Sequence, residues 1–155
     1  MKSWLNIVLF EPEIPQNTGN IGRLCVGLEI KLHLIEPLGF KITEKAIRRT
    51  GLDYWSDLDY QTYSSWDDFL EKCNPEKVFY ASTKGQKEFY DLDFTEDSFI
   101  VFGKESAGLP AWFHEKYGLN GFKIPMPGKI RSINLSNSVS VVAYEAFRQI
   151  KYRKS

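Results

Sequence analysis

Metal ligands and reactive side chains are scarce in this sequence of 155 residues. It contains two cysteines, Cys25 and Cys73, and two histidines, His33 and His114. Neither cysteine has a second metal ligand at the spacing of a zinc site, so we expect both to be free thiols and assign no metal. We assign neither histidine a catalytic role, and we expect His114 on a surface helix or turn.

Long hydrophobic runs are also absent. The longest apolar stretches have the length of one buried strand, which is too short to span a membrane. The first residues lead directly into a strand pattern, so we expect no signal peptide and a cytoplasmic location. The length and a hydrophobic content of 43% indicate one globular domain over residues 1–155.

Neither charge sign is in excess, because 20 basic and 20 acidic side chains balance. This balance argues against indiscriminate nucleic-acid binding, which usually needs a basic surplus. Two local clusters remain, and each fits either a solvated helix face or a local basic face. They are Lys45, Arg48 and Arg49, and then Arg148, Lys151, Arg153 and Lys154.

The two standard nucleotide-binding fingerprints are missing as well. Residues 19–23 read Gly-Asn-Ile-Gly-Arg and lack the G-x-G-x-x-G pattern, and no G-x-x-x-x-G-K-[ST] occurs. We therefore do not expect a dinucleotide or a nucleoside triphosphate bound in the usual way.

Apolar strand patterns alternate with helical ones along the chain. Strands are predicted over residues 5–10, 31–35, 78–82 and 99–102, with Ile124 in the last strand. Helices are predicted from the loop at 11–18 to about residue 28, over 43–50, from Ser65 to Cys73, and from Ser136 or Asn137 onward. Residues 54–63 are ambiguous, and a loop followed by a short strand is one interpretation. The alternation predicts an α/β domain with a mostly parallel sheet flanked by helices.

Small, polar or glycine-containing loops follow three of these strands, at residues 81–85, 103–108 and 126–132. Ligands of such sheets bind beyond the carboxyl ends of the strands. The three loops are therefore predicted to meet at one pocket.

Three segments each allow a structural and a functional interpretation. Residues 17–23 can cap a helix with glycines for close packing, or Arg23 can hold a phosphate or ribose. Residues 102–110 can form a glycine-rich turn, or Gly103 can let a ligand approach the backbone beside Glu105. Residues 131–138 can cap the last helix or face a ligand.

Taken together, residues 17–23, residues 102–110, and residues 124–126 with 131–139 resemble the SPOUT class of methyltransferases, almost end to end. The chain is most similar to the single-domain family that methylates the ribose 2′-oxygen of the wobble nucleotide of tRNA, cytidine or modified uridine at position 34. The resemblance implies a C-terminal trefoil knot, which periodicity does not predict. It also implies S-adenosylmethionine as methyl donor and a homodimer that binds the tRNA anticodon stem–loop.

The resemblance further implies roles for individual residues. Cofactor contacts are expected from Ala81, Gly103, Ile124, Ser132 and Leu135. Substrate contacts are expected from Asn20, Arg23, Arg131 and Tyr144.

The expected catalytic residues are Arg23, Glu105 and Arg131. A guanidinium with a pKa above about 12 is a poor base, so Arg23 is expected to bind phosphate or orient the hydroxyl. Glu105 or water would then take the proton.

Four aromatic side chains near these motifs each allow two interpretations. Tyr144 and Phe147 also fit a core stripe on the last helix. Tyr54 and Trp55 can stack on RNA or pack in the core. Asn134 and Asn137 are expected to hold their loop by side-chain hydrogen bonds to the backbone.

Two rival functions remain open at this stage. One is a SPOUT methyltransferase that acts on ribosomal RNA or on a base atom. The other is an RNA-binding protein on the same scaffold without catalysis.

Overall fold

A computed structural model describes residues 3–43 and 54–152 of the chain. Three features predicted from the sequence lie outside the described residues. They are the basic cluster of Lys45, Arg48 and Arg49, the helix predicted over 43–50 beyond its first residue, and the pair Arg153 and Lys154.

The described residues form seven strands and four α-helices. The strands are β1 Leu5–Phe10, β2 Lys31–Ile35, β3 Tyr60–Tyr63, β4 Val78–Ala81, β5 Lys87–Glu88, β6 Ser98–Phe102 and β7 Gly121–Lys123. The helices are α1 Pro15–Leu28, α2 Trp66–Cys73, α3 Ala111–Tyr117 and α4 Leu135–Tyr152. Short 3-10 turns span Tyr54–Asp57, Phe89–Asp91 and Gly118–Asn120.

The strands form one sheet in the order β3-β2-β1-β6-β4-β7-β5, and every neighbouring pair is parallel. The predicted α/β class is therefore confirmed, and the open segment 54–63 contains a 3-10 turn followed by β3.

Helices cover both faces of the sheet, so the central strands are buried throughout. All six residues of β1 are buried. Leu5, Ile7 and Leu9 pack on one face with α1 and α4, whereas Val8 and Phe10 pack on the other with α2 and α3. The free thiol of Cys25 lies in the first core, where burial raises its pKa, and the free thiol of Cys73 is partly exposed. No helix in the described ranges has the length and apolar character that a membrane span requires.

The connection between β4 and β5 crosses over β7. Ala81 and Lys87 both pair with Phe122, from opposite sides of β7, so residues 82–86 pass over that strand. A side chain at Gly85 would place its Cβ 2.5 Å from the Phe122 carbonyl carbon, which shows how closely the two segments lie. The trefoil knot itself stays a prediction.

The strand β7 is shorter than expected. It ends at Lys123, so the placement of Ile124 within the last strand is wrong by one residue. Because Pro125 has no N–H to donate, the ladder cannot continue beyond this point.

Candidate active site

The carboxyl ends of β6, β4 and β7 lie side by side, because these three strands are neighbours in the sheet. Gly103, Ala81 and Ile124 lie at or just beyond these ends. Ala81, Ile124 and Leu135, at the start of α4, are partly buried against the same core cluster. The three loops therefore lie at one edge of the sheet, and the single pocket that they are predicted to form stays a prediction.

Gly103 is required by the fold of its own loop. A Cβ at this position would lie 2.2 Å from the carbonyl carbon of Gly108. The loop folds back on itself, and the Gly108 N–H donates to the Lys104 carbonyl at 2.9 Å. The interpretation of residues 102–110 as a glycine-rich turn is therefore confirmed, because the backbone of the loop itself fills the place of a side chain on Gly103. Approach of a ligand to the Gly103 backbone stays a prediction. The Gly103 backbone remains at the strand end.

Glu105 caps helix α1 from another part of the chain. Its Oε1 accepts from the Glu13 N–H at 2.9 Å, and its Oε2 accepts from the Ile14 N–H at 2.8 Å and from Asn17 Nδ2 at 3.1 Å. The N-cap residue Ile14 makes no side-chain cap of its own. A carboxylate suits this place because free N–H groups give a helix start partial positive charge.

The start of α1 differs from the sequence expectation. Capping was predicted within residues 17–23, but the helix begins at Pro15, with Asn17 already inside its first turn. Proline is well suited to this first position because its missing N–H would have no helical partner there.

The loop before α1 holds the Glu105 loop in return. Glu13 Oε1 accepts from the Ser106 N–H at 2.9 Å, and hydrogen bonds from Ser106 hold the pKa of Glu13 below its ordinary value. Hydrogen bonds in both directions therefore hold residues 13–14 and 105–106 together, and we call this contact the clamp.

Asn17 connects this clamp to the third motif. Its Oδ1 accepts from Asn134 Nδ2 at 3.1 Å, and Asn134 Oδ1 accepts from the Ser136 N–H at 2.8 Å and the Ser136 hydroxyl at 2.6 Å. Asn134 is thus the N-cap of α4, and its predicted role in holding the loop is confirmed. One hydrogen-bonded series, Glu105–Asn17–Asn134–Ser136, joins all three sequence motifs.

Sequence reasoning did not find this series. Asn17 belongs to the segment 17–23 that is predicted to cap a helix or bind a ligand, Glu13 has no predicted role, and Glu105 is predicted to contact a ligand or take a proton. The only available signal was the residue types, because an acid and two amides can pair by their complementary donors and acceptors.

The expected substrate residues Asn20, Arg23, Arg131 and Tyr144, together with Ser132, are exposed. The structure places Arg131 and Ser132 in the loop that precedes α4. Arg23 lies two turns into α1, about 12 Å along the helix axis from its start, and Tyr144 lies about 13 Å into α4. Both helices begin at the carboxyl edge of the sheet, so the backbones of Arg23 and Tyr144 lie about two turns along their helices from this edge.

The aromatic residues separate into exposed and packed ones. Tyr144 is 56% exposed, so its interpretation as a core residue is wrong, whereas Phe147 packs against the core and edge-on against Trp4 at 5.5 Å. Trp55 packs against Tyr60, with ring centroids 4.9 Å apart.

Tyr54 is also partly buried, and burial raises its pKa to about 12. A Cβ at Gly22 would lie 3.1 Å from the Trp55 ring and 3.2 Å from that of Tyr54. Both aromatic rings therefore pack against α1, beside Arg23.

Two open grooves lie at a different part of the same sheet edge. One has a volume of about 660 Å³ beside Glu36, Tyr60 and Thr62, and the other has about 540 Å³ beside Phe10, Trp66 and Trp112. None of the expected cofactor residues lines either groove. We place the candidate site at the ends of β6, β4 and β7 because the hydrogen-bonded motifs meet there.

Comparison with known proteins gives one family over most of the chain. Residues 4–144 match the SpoU rRNA methylase family. The tRNA (cytidine(34)-2′-O)-methyltransferase of Saccharophagus degradans is 47% identical over 151 residues, which cover 97% of this chain and 98% of that protein. A solved structure concerned with the 2-OH methylation of C/U34 on tRNA is 43% identical, with a TM-score of 0.89 and coverage of 97% of this chain and 99% of that one.

An AdoMet-bound rRNA methyltransferase from Sinorhizobium meliloti has a TM-score of 0.84 at 18% identity, and the match covers 96% of this chain and 57% of that one. At this identity the likeness shows the fold alone. The resemblance to SPOUT methyltransferases is confirmed by these matches. The chain belongs to the SpoU rRNA methylase family.

Proposed function

We propose that this protein transfers a methyl group from S-adenosylmethionine to the ribose 2′-hydroxyl of nucleotide 34 in tRNA. The observation that carries the proposal is the meeting of the three motifs at the ends of β6, β4 and β7, joined by the series Glu105–Asn17–Asn134–Ser136. The relative from S. degradans, which is named for this reaction, matches nearly the whole chain at 47% identity. The rRNA methyltransferase of similar fold is 18% identical over the matched part, which shows the fold alone and gives no support to an rRNA substrate.

The strand-end residues suit the proposed cofactor. Ala81, Ile124 and Leu135 present half-buried apolar surface from one core at the strand ends, where the Gly103 backbone also lies, and Ser132 is exposed in the loop before α4. Apolar walls with a few polar groups are the usual composition of a cofactor site. When bound, S-adenosylmethionine supplies an electrophilic methyl group on a sulfonium.

Glu105 is assigned a positioning role rather than the role of proton acceptor. Its two oxygens face the amides of residues 13, 14 and 17 at 2.8–3.1 Å, so the carboxylate is already engaged within the protein. Of the two proton acceptors expected from the sequence, water is the one we propose. Arg131 is exposed beside Ser132 and is proposed to contact a substrate phosphate or ribose, because a guanidinium can hold either by paired hydrogen bonds.

A homodimer is proposed to complete the site. Helices α1 and α4 carry Arg23 and Tyr144 about two turns away from the strand ends of their own chain, and Val141 and Tyr144 leave apolar surface exposed on α4, at 39% and 56%. A second copy that covers this face would bring Arg23 of one protomer to the strand ends of the other. Arg23 would bind phosphate or orient the hydroxyl there. We propose a cytoplasmic location, because the proposed tRNA substrate is found there.

The reaction is tested with labelled S-adenosylmethionine and total tRNA, followed by mapping of the modified nucleotide. We expect label in the 2′-O-methyl group of nucleotide 34, and none in a matched tRNA with a 2′-deoxy nucleotide at that position. Transfer only to rRNA, or to a base, would overturn the proposal. Binding of tRNA without any transfer would instead support the RNA-binding alternative.

The dimeric site is tested by complementation between two inactive variants. Co-expression of Arg23→Ala with Leu135→Glu, which places a charge in the apolar surface expected to hold the cofactor, produces mixed dimers. If Arg23 acts on the partner's site, each mixed dimer contains one intact site and activity returns. If Arg23 acts within its own chain, both sites of the mixed dimer stay defective and activity does not return.

A further inference from the structure

A hydrogen bond between Ser82 and His114 is not used by the mechanism above. Ser82 directly follows Ala81 at the end of β4, and His114 lies on α3. His114 Nε2 is 2.7 Å from Ser82 Oγ, and both side chains are partly buried. The imidazole also packs edge-on against Tyr80 of β4, with ring centroids 5.2 Å apart.

Ser82 holds the turn that crosses β7. Its N–H donates to the Phe122 carbonyl at 2.8 Å, and its carbonyl accepts from the Gly85 N–H at 3.1 Å. Its hydroxyl oxygen accepts from the Lys84 N–H at 3.1 Å, which is a local side-chain turn of the kind that serine favours. These bonds hold the turn against β7. Two expected cofactor residues flank this contact, Ala81 just before the turn and Ile124 just after β7.

His114 connects this turn to the loop that follows β6. That loop contains Gly103 and leads through Pro110 directly into α3. A second bond reinforces the connection, because the Tyr80 hydroxyl donates to the Gly118 carbonyl at 2.8 Å, just after α3. The Glu105–Asn17–Asn134–Ser136 series ties the β6 loop to α1 and α4, and the His114–Ser82 bond ties it to the β4 loop.

We propose that His114 is a positioning residue for cofactor binding, acting through Ser82 on the 82–85 turn. This inference rests on the proposed function, since it concerns the same S-adenosylmethionine site. The Ser82 hydroxyl oxygen already accepts one hydrogen bond, from the Lys84 N–H. The bond to the imidazole therefore determines the direction of the hydroxyl proton and of the second lone pair of Ser82. The hydrogen bond therefore sets the hydroxyl orientation and the place of the turn beside Ala81.

The test compares His114→Leu, which cannot form the bond, with His114→Gln, whose amide can reach Ser82 from the position of Nε2. Isothermal titration with S-adenosylmethionine should show Kd raised about fivefold in His114→Leu, the loss expected for one neutral hydrogen bond, and unchanged in His114→Gln. Affinity for tRNA and kcat at saturating cofactor should stay at wild-type values in both. If His114→Leu does not fold, Ser82→Ala is compared with Ser82→Thr, which keeps the hydroxyl. Ser82→Ala removes the bond from the Lys84 N–H as well as the bond to His114, so its loss of affinity should be at least as large.

The outcomes distinguish this inference from the proposed function. A wild-type protein that binds no S-adenosylmethionine overturns the proposed function and the inference with it. Normal binding by the wild type and by His114→Leu overturns the inference alone. An equal loss in His114→Leu and His114→Gln overturns it as well, because the ring packing on Tyr80 would then be what matters.

Discussion

Both oxygens of Glu105 accept hydrogen bonds from the segment that starts α1, more than 80 residues earlier in the chain. A carboxylate accepts on both oxygens and donates nothing, which matches a place where only N–H groups are present. A glutamine of equal size cannot replace Glu105 fully, because its NH₂ group donates hydrogen bonds where an acceptor is needed.

Glu105→Gln should lower the free energy of unfolding by about 1–3 kcal/mol, because the glutamine NH₂ would face amide donors and leave at least one of them unpaired. Urea denaturation measures the change. Glu115→Gln on the exposed surface of α3 is the matched control and should leave stability unchanged. Equal stability of the two variants would rule out the capping role of Glu105.

His33 is a buried histidine with a defined tautomer. Asn6 Nδ2 points to Asp97, so Asn6 Oδ1 accepts from His33 Nε2 at 2.9 Å, and His33 Nδ1 then accepts from the Tyr63 hydroxyl at 2.7 Å. Burial, together with the positive charge of Lys31, lowers the pKa of His33 from 6.5 to about 3. The folded protein therefore keeps this imidazole neutral.

Acid should weaken the fold through His33. Between about pH 6.5 and 3 the unfolded chain binds a proton that the folded protein does not, so the free energy of unfolding falls as the pH falls through this window. The His33 contribution between pH 7 and pH 5 is up to about 2 kcal/mol. Urea titrations at both values should show a smaller loss in His33→Gln than in the wild type. An identical loss in the two proteins would show that His33 does not set this dependence.

At the scale of elements, α1 and α4 begin at the same edge of the sheet but are capped differently. The start of α4 is capped by Asn134, the residue just before it, whereas the start of α1 is capped by Glu105 from the loop after β6. The bond between Asn17 and Asn134 joins the two helix starts. The geometry of the candidate site therefore depends on both helix starts at once.

Asn134→Ala should lower the free energy of unfolding by about 0.5–2 kcal/mol, as the loss of an N-cap does in general. Amide hydrogen exchange should also become faster in the first turn of α4. The control is Asn137→Ala, an exposed residue of the same turn, which should change neither quantity. Asn134→Asp keeps the capping oxygen but loses the donor to Asn17, so its effect should lie between the two. Exchange rates that are the same in all three variants would contradict the capping role.

At the scale of the whole molecule, the crossing of residues 82–86 over β7 brings two distant parts of the chain into close contact. The pairing of Phe122 with both Ala81 and Lys87 requires the turn to lie directly on the strand. Gly85 makes this approach possible, because the missing Cβ would be 2.5–2.8 Å from the Phe122 backbone.

Gly85→Ala should therefore destabilise the fold by about 1–3 kcal/mol or more, because backbone atoms must move to admit the methyl group. Gly128→Ala is the control, since nothing lies within 4 Å of the Cβ it would add. Thermal unfolding of both variants measures the difference. A Gly85→Ala protein as stable as Gly128→Ala would mean that the crossing is looser than described.

Sequence patterns predicted the parts of this fold that depend on near neighbours. The bounds of β1 and β2, and the Ser65 cap of α2, follow from local hydrophobicity and capping chemistry, and all three are as expected. The edge at which the three loops meet was also predicted, because the carboxyl ends of neighbouring parallel strands lie together. The exposure of Tyr144 was not predictable, since helical spacing alone does not say which face of a helix a neighbour covers.

The sequence by itself determined the α/β class, the family and the residue types at the candidate site, because these depend on local periodicity and on motifs that are contiguous in the chain. The tertiary structure alone decided the partners of those residues. It assigned Glu105 to the start of α1, Asn17 to Asn134, and Ser82 to His114. The physical reason is that each of these hydrogen bonds joins residues at least 32 positions apart, so the partner is set by strand order and chain crossing rather than by spacing.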